Sequence, residues 1–106
     1  MMSYSIQIST SAEQDIIDAV NYIKLVLKSP DAAERLYDLI AERLFPLKDQ
    51  PELYPIVDDP VLKAWGIRFV SVQNYLAFYT IDEKYKTIYI VRFLYKKRNW
   101  KVILKD

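Results

Sequence analysis

The chain of 106 residues contains no cysteine and no histidine, and Gly66 is its only glycine. Each absence removes chemistry. Without cysteine there is no disulfide framework, no thiolate nucleophile and no thiolate metal site. Without histidine, Ser-His-Asp and Cys-His catalysis are excluded, and so is the side chain whose ordinary pKa best suits proton transfer near neutrality. One glycine cannot build a phosphate-cradling P-loop or a dinucleotide fingerprint. No apolar run approaches the roughly 18 residues that a membrane-spanning helix needs. The opening Met1-Met2-Ser3-Tyr4 runs straight into an alternating pattern, unlike the charged and apolar regions of a signal peptide. The expectation is a cytoplasmic protein with no cofactor, no metal and no membrane partner. Any catalysis must use Asp, Glu, Lys, Arg, Tyr, Ser or Thr, so an enzyme built from this chain is slow or unusual in its acid–base groups. Whether it is an enzyme stays open at this point.

Apolar residues make up 52% and charged residues 27% of the chain, which places it among globular rather than disordered sequences. Its length suits one domain, residues 1–106, with one modest core. The net charge of +1 conceals a polarity. Residues 1–59 carry 5 Lys/Arg and 11 Asp/Glu, a net −6, whereas residues 60–106 carry 10 Lys/Arg and 3 Asp/Glu, a net +7. A basic half implies a polyanionic or acidic partner, unless the acidic half folds back and neutralises it.

Along the chain, Tyr4, Ile6 and Ile8 alternate with polar residues, which predicts a strand over Ser3–Ser9. Ser11 and Gln14 have capping-box spacing and open a helix whose apolar stripe is Ile16, Val20, Ile23 and Leu27. Ser29-Pro30 ends it and starts the next, with Ser29 as cap and Pro30 at the first helical position. That second stripe runs Ala33, Leu36, Ile40, Leu44, Leu47, with a kink or early end expected near Phe45 because of Pro46. The two helices are expected to form an antiparallel hairpin. Residues 50–60 hold three prolines and read as an extended connection. Three strands follow, at about Leu62–Val70, Tyr75–Ile81 and Thr87–Tyr95, whose short links force an antiparallel meander. The fold class is therefore α+β: a helix hairpin on one face of an antiparallel sheet, with the other face partly open for a partner or groove. On the last strand, strict alternation puts Tyr89, Val91, Phe93 and Tyr95 on one face. Ile88, Ile90, Arg92 and Leu94 take the other, and the charge of Arg92 marks that face as the less covered.

This ordered set resembles the RelE/ParE superfamily of type II toxin–antitoxin toxins, also labelled plasmid-stabilisation proteins. The resemblance is carried by Tyr4-Ser5-Ile6-Gln7-Ile8, Ala12-Glu13-Gln14-Asp15-Ile16 running into Tyr22-Ile23, Leu47 and Pro51, Ile67-Arg68-Phe69, and Asn74-Tyr75-Leu76-Ala77-Phe78-Tyr79. It closes with Ile88–Tyr95 and Lys97-Arg98-Asn99-Trp100, where Asn99 stands in place of an acid common in the family. The resemblance implies a toxin held inactive by an antitoxin whose segment wraps it. It implies one of two targets: messenger RNA cleaved in the ribosome, as in the RelE-like branch, or DNA gyrase, as in the ParE-like branch. An amphipathic or acidic antitoxin segment is expected to cover the groove next to the basic C-terminal stretch, in a hetero-oligomer or beside a homodimer contact.

For RNA cleavage the resemblance points to Arg68, Arg98 and Tyr75 as candidate catalytic residues, with Arg92, Lys96, Lys97 and Trp100 as candidate target-binding residues. Arginine clamps phosphate in bidentate fashion, and tryptophan stacks on bases. Two positions depart from the RNA-cleaving pattern: Leu76 stands where an arginine is expected, and Gly66 where a lysine is common. Missing phosphate cations weaken transition-state stabilisation, which favours the gyrase branch, with an endoribonuclease or an inactive antitoxin-binding relative as the other readings. For Arg92 the residues leave two roles open, target contact or an ion pair with an acidic helix residue. Lys96-Lys97-Arg98 is either a solvated stretch or a dock for an acidic partner. Trp100 is either a packing aromatic or a base platform.

Overall fold

The computed structural model describes residues 3–106. Strand β1 (Ser5–Ile8) leads into α1 (Thr10–Asn21), a π-helical turn (Tyr22–Val26), α2 (Pro30–Leu44) and a 3-10 turn (Phe45–Lys48). Then come α3 (Pro60–Ala64), β2 (Arg68–Val72), β3 (Tyr75–Asp82), β4 (Thr87–Tyr95) and α4 (Trp100–Lys105). The expected α+β architecture holds. The sheet order is β1-β4-β3-β2. The last three strands form the antiparallel meander, while β1 adds to β4 in parallel, so the sheet is mixed rather than wholly antiparallel.

Local chemistry explains where the elements begin. Helix α1 is capped by Ser9 and not by Ser11. The Ser9 N–H still donates to the Ile90 carbonyl of the sheet (3.0 Å), its hydroxyl accepts from the Ala12 N–H (3.0 Å) and donates to the Val91 carbonyl (3.0 Å). Strand end and helix cap are thus one residue. The apolar stripe of α1 was expected to reach Leu27, but the π turn shifts the helical phase after Asn21. Leu25, Val26 and Leu27 consequently point to solvent. Ser29 makes no side-chain cap bond; its carbonyl accepts from the Ala33 N–H at 3.1 Å, and Pro30 takes the first helical position as expected. Pro46 converts the end of α2 into a 3-10 turn, as its missing N–H requires.

The strand expected from Leu62 starts only at Arg68. Residues Pro60–Ala64 are instead a short helix, capped by the Asp59 carboxylate, which accepts from the Val61 and Leu62 N–H groups at 3.2 Å each. Gly66 ends it in the left-handed region at φ 72°. Asp-Pro ahead of an apolar turn is a helix-start signal, absorbed in the sequence reading by the proline-rich connection before it.

The faces of β4 also depart from strict alternation. A bulge places Phe78 opposite Arg92 and Tyr79 opposite Ile90, leaving Val91 as an extra residue. Alternation therefore slips by one. Ile88, Ile90 and Phe93 pack in the core beneath the helix hairpin, with Val70, Val72, Ala77 and Tyr79. Val91 and Leu94 belong to a second apolar cluster on the opposite face, with Leu76 and Phe78. That face is not left open: α4 lays Trp100, Ile103 and Leu104 over it. Lys105 secures α4 through a 2.9 Å ion pair to Asp59, the same carboxylate that caps α3. The Lys105 bond and then the Leu62 N–H hold the Asp59 pKa below the usual carboxylate value. This latch stabilises the fold above the ordinary carboxylate range and is lost as pH falls through the depressed value.

Candidate functional site

Side chains of α1 and of the β3–β4 end of the sheet face each other across an open groove of about 330 Å³. Asp15, Asp18, Ala19 and Tyr22 form the helical wall. Their spacing of three, four and seven residues puts them on one side of the helix. Tyr75, Phe93 and Tyr95 form the sheet wall, with Arg98 on the turn after β4. The ring of Tyr75 stacks on Phe93 at 5.0 Å and meets Tyr95 edge-on at 5.6 Å. Burial, followed by the neighbouring tyrosines 95 and 22, raises the Tyr75 pKa, so its phenol stays protonated at neutral pH and can donate a hydrogen bond.

Of the candidate residues, Tyr75 and Arg98 are brought together here. Arg92 lies behind the helical wall, its guanidinium donating to both oxygens of Asp15 from Nε (2.7 Å) and Nη2 (2.9 Å). The ion-pair alternative for Arg92 is therefore the observed one. The same Asp15 carboxylate accepts from the Phe93 N–H at 3.0 Å. This arrangement follows from the sheet: β1 stops at Ile8, opposite Ile90, and the rest of the β4 edge needs another acceptor.

Arg68 is not part of this groove. It starts β2 opposite Tyr79, and its Nη1 donates to the Tyr54 carbonyl at 2.7 Å. Tyr75 pairs with Val72, four residues further along β2, roughly 13 Å away at about 3.3 Å per residue. Arg68 therefore secures the connection before α3 at one end of the sheet, and Arg98 stands at the other. Tyr79, beside Arg68, is fully buried; its hydroxyl donates to the Pro51 carbonyl (2.9 Å), and burial pushes its pKa up to about 12. Trp100 packs against Phe78 on the opposite face, ring centres 5.2 Å apart. Lys96 and Lys97 are exposed on the turn that carries Arg98. Leu76 is 8% exposed within the second apolar cluster, and Gly66 is the turn that ends α3. Leu76 and Gly66, the two positions that depart from the expected RNA-cleaving pattern, are thus taken up by packing and by turn geometry.

Asp18, Tyr22 and Tyr95 were missed as groove residues. Helical spacing of Asp15, Asp18 and Tyr22 was legible, but nothing local showed that this polar side of α1 meets the sheet end. A second, larger groove of about 520 Å³ lies between β1, α1 and α2. Ile8, Ile17, Tyr37 and Phe45 line it and remain exposed. This larger apolar groove is thus not beside the basic stretch, where a partner's segment was expected to lie.

Comparison with known proteins agrees with this architecture. The family described as "ParE toxin of type II toxin-antitoxin system, parDE" matches residues 6–100. No curated protein matches the sequence. Among solved structures, a chain of a chromosomal ParDE toxin–antitoxin system from P. aeruginosa superposes with a TM-score of 0.67 at 22% identity, covering 88% of this chain and 96% of that one. A chain of the RelBE2 toxin–antitoxin complex from Mycobacterium tuberculosis superposes with a TM-score of 0.57 at 18% identity, covering 88% and 98%. At these identities the superpositions speak for the fold. With the family match running from β1 to the start of α4, the chain belongs to the ParE toxin family of type II toxin–antitoxin systems, within the RelE/ParE superfamily.

Proposed function

We propose that this protein is a growth-inhibiting toxin that acts in the cytoplasm on DNA gyrase by protein–protein contact, and that a cognate antitoxin holds it inactive. The observation that carries the choice of target is Leu76. In RNA-cleaving relatives the resemblance places an arginine there. Here the position is apolar and packed with Leu94 and Phe78 beneath the cover of α4. Arg68 and Arg92, two of the candidate cations, are engaged by the Tyr54 carbonyl and by Asp15. Of the candidate cations without an ion pair among the described residues, only Arg98 lines the groove that holds Tyr75, which weighs against in-line attack by a ribose hydroxyl. The exposed apolar groove and the exposed Lys96-Lys97-Arg98 turn support a protein partner.

Induction of the toxin without antitoxin, read with paired supercoiling and primer-extension assays, tests this reading. The expected result is growth arrest, loss of gyrase supercoiling or trapped cleaved DNA, and intact translated messenger. Cuts within codons, abolished by Arg98→Ala, would replace it with the endoribonuclease reading, which the shared groove of Tyr75 and Arg98 favours. Normal growth would point to the inactive antitoxin-binding relative.

A further inference from the structure

The groove between α1 and the sheet end carries more chemistry than a gyrase contact or an RNA site accounts for. Its two carboxylates are not equivalent. Asp15 is satisfied by Arg92 and the Phe93 N–H. Asp18 accepts only from the Gln14 side-chain amide (2.8 Å), through one oxygen, and forms no ion pair among the described residues. It is solvent-accessible and stands one helical turn from Tyr22. Across from it lie the rings of Tyr75, Phe93 and Tyr95.

An unpaired carboxylate beside several aromatic rings is a poor seat for phosphate, which it repels. It is a good seat for a guanidinium or ammonium group. Phe93 is buried in its stack with Tyr75, but the exposed rings of Tyr22 and Tyr95 attract a cation through their quadrupoles, and the carboxylate supplies charge-assisted hydrogen bonds. The protonated Tyr75 phenol suits the role because its oxygen can accept a hydrogen bond from the cation. Arg98, on the far wall, is itself without an ion pair among the described residues. An occupant that brings a cation for Asp18 and a carboxylate for Arg98 leaves the groove electrically balanced.

We propose that this groove receives a cationic side chain, an arginine or lysine carried by the antitoxin on a segment whose neighbouring acidic residue meets Arg98. The proposal rests on the toxin reading only for the identity of the partner. The chemistry of the groove stands independently of which target the toxin attacks. It also refines the expectation of an acidic antitoxin segment: the acidic residues meet the 96–98 turn, and a basic one enters between α1 and the sheet.

The test uses the full chain and three small probes: acetyl-arginine amide, its neutral isostere acetyl-citrulline amide, and acetyl-glutamate amide. Ring resonances of Tyr22, Tyr75 and Tyr95, assigned through single Tyr→Phe variants, report occupancy. The arginine probe is expected to bind about tenfold more tightly than citrulline. Asp18→Asn should reduce it to the citrulline level, while Asp38→Asn on the exposed side of α2 leaves it unchanged. Tyr22→Ala, a half-exposed position at the start of the π turn after α1, is a second variant should Asp18→Asn disturb folding. Equal binding of arginine and citrulline, or tighter binding of the glutamate probe, overturns the proposal. For the partner, Asp18→Asn should weaken binding of the cognate antitoxin at least tenfold. Antitoxin affinity unchanged by Asp18→Asn overturns the antitoxin as occupant, even where the arginine probe binds. Growth arrest on induction, measured with the same Asp18→Asn variant, reports separately on the toxin reading.

Discussion

Asp15 shows how much of the molecule can rest on one side chain. It bonds Arg92 twice, takes the Phe93 N–H and helps line the groove. With side-chain exposures of 28% for Arg92 and 11% for Asp15, the pair is largely withdrawn from water. Removing one partner of such a pair leaves the other uncompensated. Asp15→Asn keeps the shape and loses the charge, so it should destabilise the protein by about 2–3 kcal/mol. That corresponds to a fall in Tm of roughly 10–20 °C for a domain of this size. Urea unfolding at constant m-value measures it, and wild-type stability in the variant would refute the role. The sequence kept both roles of Arg92 open because its partner lies 77 positions away. No local pattern reports a contact across that separation. Asp15 itself enters the sequence reading only within the segment Ala12-Glu13-Gln14-Asp15-Ile16.

At the scale of elements, β3 is where the choice of chemistry is visible. Leu76 pairs with Ser71 and Leu94, and its side chain belongs to the apolar face that α4 covers. Restoring the arginine of the nuclease pattern, Leu76→Arg, would bury a guanidinium among Phe78, Leu94 and Trp100. The expected cost is about 3–5 kcal/mol, with no gain of messenger cleavage in primer extension. A stable Leu76→Arg protein that cuts RNA would show that this face is a working surface rather than a core. Most elements were legible: β3 and β4 fall where alternation put them, and both long helices sit under their apolar stripes. The exceptions have specific causes. The π turn breaks a stripe that a pure 3.6-residue period continues to Leu27. The Val91 bulge reverses the faces of β4 without altering its composition. Helix α3 was hidden because Asp59-Pro60 ends a proline-rich stretch that reads as one loop.

For the whole molecule, charge polarity decides how a partner arrives. The exposed turn 96–98 carries three of the ten basic residues of the C-terminal half and has no ion pair among the described residues. Unpaired surface charges steer encounter and are screened beyond about 8–10 Å at physiological salt. The association rate with the cognate antitoxin should therefore fall as salt rises from about 50 to 500 mM. A Lys96→Ala, Lys97→Ala double variant should flatten that dependence while changing the dissociation rate less. Stopped-flow mixing measures both rates, and a salt-independent association rate in the wild type would remove this turn from the docking path.

The sequence by itself determined the kinds of elements and their order, because hydrophobic period, capping and proline act over a few residues. It also determined what chemistry is excluded, because missing side chains stay missing in any fold. Only the tertiary structure decided which cations are free and which face of the sheet is closed. Those outcomes depend on pairings between distant parts of the chain: Asp15 with Arg92, Arg68 with the Tyr54 carbonyl, Lys105 with Asp59, and Trp100 over Phe78. A single unpaired residue in β4 was enough to turn its side chains over, and that inversion is a property of register between strands rather than of composition within one.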